Sequence, residues 1–149
     1  MKKLLTFSLA FMLAVLFNTN AIAQTFTYSE VTPAPGEVTS LEKIIITFPN
    51  DVWGGRYTRP IYTIKDSNGV IIPSETVNNG GGNNKSHVVT PTTPITTPGV
   101  YIIHIPAGKL CSSNQYSGGS WNEEITLTWT VIEAPKTFAF ESAVPANGE

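Results

Sequence analysis

The sequence predicts an all-β fold: an antiparallel β-sandwich of about seven strands, preceded by a signal peptide. Three observations carry that prediction. No stretch sustains the 3.6-residue apolar period of an amphipathic helix. Pro and Gly together number 23, and their spacing interrupts any helix before it can grow. Nineteen Thr residues favour strands, because a β-branched polar side chain suits the wet face of a sheet.

The N-terminus reads as an export signal rather than as part of the fold. Lys2-Lys3 form a positive start, Leu4 to Phe17 an apolar run, and Ala21-Ile22-Ala23 a small-x-small cleavage pattern. Residues 1–23 are therefore assigned as the signal peptide, with Gln24 as the mature start. That leaves 126 residues carrying seven Lys/Arg against eleven Asp/Glu. A mildly acidic chain with scattered positive charge excludes a nucleic-acid footprint, and no later segment is apolar enough to span a membrane. The expected location is periplasmic, cell-surface or extracellular, and the expected state is monomeric. Cys111 is alone, so no internal disulfide forms, and burial as a small hydrophobe is its expected fate.

The elements follow in order. Phe26 and Tyr28 alternate with Thr25, Thr27 and Ser29 in a first strand, and Pro33-Ala34-Pro35-Gly36 turns the chain. Ile44, Ile46 and Phe48 share one face of the second strand, which Pro49 ends. Ile61–Ile64 and Val70–Ile72 flank Asp66-Ser67-Asn68-Gly69, the Asn-Gly signature of a hairpin. The stretch from Pro73 to Pro98 reads as soft, with one brief strand at His87-Val88-Val89 and a Gly/Asn-rich loop at 78–84. Val100 to Ile105 is apolar on both faces, as a central strand requires. Ile125, Leu127, Trp129 and Val131 alternate strictly with Thr126, Thr128 and Thr130 in the last strand, which places Trp129 in the core as a structural residue. The sandwich domain is assigned to residues 24–134.

These motifs carry a resemblance. Pro33-Ala34-Pro35-Gly36, Leu41, Ile44-Ile45-Ile46-Thr47-Phe48 and Val52 resemble the opening of bacterial Ig-like domains of S-layer and other surface proteins. Pro98-Gly99-Val100-Tyr101 through Pro106-Ala107-Gly108 is similar to their Gly-x-Tyr strand closing on Pro-Ala-Gly. The style resembles the modular secreted proteins of Bacteroidetes. The resemblance covers about residues 25 to 133 and implies an Ig-like sandwich without shared catalytic residues. It also implies a structural role for Tyr101 as a tyrosine corner.

Thr25–Glu37 recurs as Thr137–Glu149, 112 residues on, with six of thirteen positions identical. A period of domain length implies tandem modules, with residues 135–149 a linker and the first strand of a truncated second repeat.

Candidate chemistry is sparse. His87 and His104 lie on predicted strands without a third ligand at useful spacing, so no metal site is expected. One relative of this fold is a periplasmic copper carrier. Its ligands are a His near the mature N-terminus and Met-rich segments, whereas here the mature start is Gln24-Thr25-Phe26 and both Met residues lie in the leader, so copper transport is not expected. Asp66-x-Asn68-Gly69 lacks the closing acidic residue of a calcium loop. Adjacent Glu123 and Glu124 face opposite ways on a strand and make a poor acid/base pair. No nucleophile elbow is present. No catalytic residue, enzyme activity or cofactor is therefore expected.

Two functional readings follow. The first is an exported structural or spacer module of a modular cell-surface or secreted protein. The alternative is a module binding a polysaccharide or another surface protein through loop aromatics, with Trp53, Tyr57, Tyr116 and Trp121 as ligand-binding residues.

Overall fold

A computed structural model describes residues 25–54, 60–78, 85–113 and 118–135. The expected signal peptide, the repeat at 137–149, Tyr57, Tyr116 and most of the Gly/Asn-rich loop lie outside the described residues. The strands are β1 (Thr25–Phe26), β2 (Glu30–Thr32), β3 (Gly36–Val38), β4 (Ile44–Thr47), β5 (Ile64–Asp66), β6 (Ile71–Ile72), β7 (Ser74–Asn78), β8 (Ser86–Pro91), β9 (Gly99–Ile105), β10 (Trp121–Asn122) and β11 (Ile125–Val131). They form a five-stranded sheet, β3-β11-β9-β5-β6, a four-stranded sheet, β2-β4-β8-β7, and a short β1-β10 pair. The fold is all-β, and no described helix is long and apolar enough to cross a membrane.

Burial follows the residue alternation. Ile125, Leu127, Trp129 and Val131 are at most 2% exposed, while Thr126 and Thr128 face water. Ile44, Ile46 and Phe48 from β4 and its exit meet them from the other sheet, while Ile64 and Ile103 pack beside them from their own sheet. β9 lies between β11 and β5, so both of its edges are paired. The hairpin turn uses its own side chain: Asp66 Oδ1 accepts from the amides of Asn68 and Val70 at 2.9 and 2.8 Å. Gly69 there takes a φ of 81°, which only a residue without Cβ enters freely.

The structure departs from the sequence reading in three respects. It holds eleven short strands among the described residues, because the first predicted strand is divided among short elements and the soft stretch contains β7. β7 pairs with β8 over five residues, but its polar Ser, Glu, Thr and Asn composition conceals a strand that closes a sheet edge. Two pairings are parallel, β1 with β10 and β3 with β11. The pairing of β3 follows from the crossing at Pro33–Pro35, which carries the chain from β2 in one sheet to β3 in the other.

That crossing is tied to the core. Trp129 Nε1 donates to the Pro33 carbonyl at 3.0 Å, and Trp129 is fully buried. Tyr101 is also buried, and its hydroxyl donates to the Thr97 carbonyl at 3.1 Å. Replacing Trp129 by Phe removes the indole donor and leaves unfilled volume. Urea unfolding is expected to show a loss of about 2–4 kcal/mol, whereas exposed Ile132→Ser stays within about 0.5 kcal/mol of the parent.

Candidate functional site

The outer face of the five-stranded sheet carries an exposed pair of ionisable side chains, His104 and Glu124. β9 and β11 run antiparallel with Ile105 opposite Ile125 and His104 opposite Thr126. Ile103 and Ile105 point into the core, so His104 between them points out. Glu124 immediately precedes β11. Its carboxylate Oε1 lies 2.9 Å from His104 Nε2, with the two side chains 69% and 48% exposed. Glu123 turns the other way, accepting a hydrogen bond from Thr25 Oγ1 at 2.6 Å and giving its amide to the Phe26 carbonyl.

Asn122 holds this corner in place. It is 2% exposed, and its Oδ1 accepts from the amides of Lys109 and Leu110 at 2.8 and 2.7 Å. Its Nδ2 donates to the carbonyls of Pro106 and Glu123 at 2.9 and 2.7 Å. One side chain thus clamps the turn leaving β9 to the residue beside Glu124. Sequence reasoning missed Asn122, because an Asn near a turn gives no sign that four backbone groups converge on it.

A groove of about 850 Å³ runs along the same face, with Ile61, Lys65, Ile102, His104 and Lys109 in its lining. Lys65 stands opposite Ile102 across the β5–β9 ladder.

The two histidines do not meet. His87, on β8 of the other sheet, is fully buried, with Nδ1 paired to the Tyr62 hydroxyl at 3.0 Å and Phe48 edge-on to the ring. Among the described residues, no three His, Cys, Asp or Glu side chains gather as a metal-ligand group. Cys111 is fully buried. The His104–Glu124 pair therefore presents one imidazole and one carboxylate to solvent.

The aromatic sites are also placed. Trp53 and Cys111 exchange backbone hydrogen bonds at 3.0 Å in each direction, and Cys111 bridges on its other side to Trp121. Trp53 and Trp121 therefore share one end of the sandwich. Both are half-buried and lie on paired backbone instead of projecting from free loops.

No protein-family model and no curated protein matches the chain. Among solved structures, it is similar to PcoC, a methionine-rich copper resistance protein from Escherichia coli, and to CopC from Methylosinus trichosporium OB3b. PcoC is 14% identical with a TM-score of 0.47, over 72% of this chain and 98% of that one. CopC is 16% identical with a TM-score of 0.49, over 76% of this chain and 99% of that one. These findings correct the resemblance to S-layer-type Ig-like domains of Bacteroidetes-like modular proteins. The spacer role and the polysaccharide- or protein-binding alternative are corrected with it. The motifs behind that reading, a Pro-rich turn and an apolar strand ending in Phe48, are packing features that any two-layer sandwich can use.

Two outcomes follow from the geometry. Asn122→Ala leaves buried amides of the 106–110 turn without acceptors and is expected to cost about 2–4 kcal/mol in urea unfolding. Burial holds the Tyr62 hydroxyl above the ordinary phenol range. The folded state thus favours its neutral form, and that stabilisation is complete below pH ~10 and falls as pH rises beyond it. In Tyr62→Phe, urea unfolding between pH ~10 and ~11 should show a dependence on pH shallower by about 1 kcal/mol per unit.

Proposed function

We propose that the chain is an exported, periplasmic β-sandwich that binds a divalent transition-metal ion as cargo through His104 and Glu124, without catalytic chemistry of its own. The observation that carries this reading is the 2.9 Å separation of His104 Nε2 and Glu124 Oε1 on an exposed face. Donors at that spacing subtend about 90° at an ion bonded to each at roughly 2.0–2.1 Å, the cis angle of tetragonal coordination. Glu124 is exposed enough to swing aside and admit the ion. The remaining positions fall to water, which suits an ion taken up and passed on rather than a permanent structural metal.

Donor chemistry selects the ion class. Imidazole with carboxylate suits Cu(II) and its divalent neighbours, whereas Cu(I) favours thioether and thiolate ligands. Both Met residues precede the expected mature start and Cys111 is buried, so exposed thioether or thiolate ligands for Cu(I) have no counterpart among the described residues. Copper is the ion associated with the similarly folded PcoC, and its divalent form matches the donors present here. Metal and protons compete for the same imidazole nitrogen and carboxylate, so binding weakens in acid.

Equilibrium dialysis of the mature protein against Cu(II), with Zn(II) for comparison, tests the proposal. One Cu(II) per chain is expected, with affinity reduced roughly ten- to a hundredfold in His104→Ala and by a smaller factor in Glu124→Gln. Unchanged affinity in His104→Ala would set the proposal aside.

A further inference from the structure

The groove beside His104 has a chemistry that metal binding leaves unused. Its volume of about 850 Å³ lies within the range of small-molecule sites. Ile61 lines it at 86% exposure, and half-buried Ile102 adds to the apolar wall. Isoleucine surface left in water at a concave site favours an apolar occupant. The charges in the lining are unbalanced. Lys65 and Lys109 both border the groove, and among the described residues neither has a carboxylate partner. Asp66 is the lining's one carboxylate among the described residues, and its Oδ1 already accepts two backbone amides in the hairpin turn.

We infer that this groove binds a small organic anion with an apolar body, such as a medium-chain carboxylate. The alkyl part covers Ile61 and Ile102, and the carboxylate takes charge-assisted hydrogen bonds from Lys65 or Lys109. A cationic amphiphile of the same length has the same apolar gain but meets two ammonium groups. The site thus discriminates by the sign of the head group.

The test uses the mature protein in chelator, so that its outcome is independent of metal binding. Anilinonaphthalene sulfonate serves as the fluorescent probe, with octanoate and octyltrimethylammonium as competitors. The probe is expected to bind and to be displaced by octanoate but not by the cation. Lys65→Glu with Lys109→Glu should weaken octanoate about tenfold or more. A second measurement needs no variant: octanoate protons should show nuclear Overhauser contacts to the Ile61 and Ile102 methyls. Displacement by the cation as effectively as by octanoate, octanoate contacts elsewhere, or absence of probe binding would each overturn the inference.

Discussion

The candidate surface depends on the buried amide of Asn122. The chain leaving β9 must turn at Pro106–Gly108 and still place Leu110 and Cys111 inside, which takes the Lys109 and Leu110 amides away from any strand partner. Asn122 satisfies both with one oxygen, while its nitrogen serves the carbonyls of Pro106 and Glu123. Its backbone adds two more links, accepting from Gly108 and donating to Leu110 at 3.0 Å each. Every hydrogen-bonding group of that residue is engaged, so the end of β9 and the start of β11 behave as one unit. His104 and Glu124 stand on the two arms of that unit.

The two faces of the five-stranded sheet divide the remaining work. Inward side chains supply apolar packing around Trp129 and Ile103. The outward rows of β9 and β11 place Ile102 and His104 against Thr128 and Thr126, a face that contributes little to the core and is open to ligand chemistry. His87 illustrates the contrast. The same residue type turned inward, against Phe48 and the Tyr62 hydroxyl, becomes part of the packing.

Much of the fold was legible because strand alternation is a local signal. Ile125, Leu127, Trp129 and Val131 announce a half-buried strand, and Asn68-Gly69 announces its turn without reference to distant residues. β7 was hidden because Ser74, Glu75 and Thr76 carry edge-strand polarity instead of an apolar face. The parallel pairing of β3 was hidden because it depends on a crossing between sheets, a long-range property. The candidate site was legible only in pieces. His104 was weighed with His87 and Glu124 with Glu123, whereas the antiparallel register joins His104 to Glu124 across twenty residues. No spacing rule reports a pair created by register.

The most direct measurement is histidine-ring NMR during addition of substoichiometric Cu(II), since the paramagnetic ion broadens the ring it touches. The account predicts that the His104 resonances broaden first while those of His87, with no exposed surface, stay sharp. His104 resonances that remain sharp while other sites broaden would contradict it.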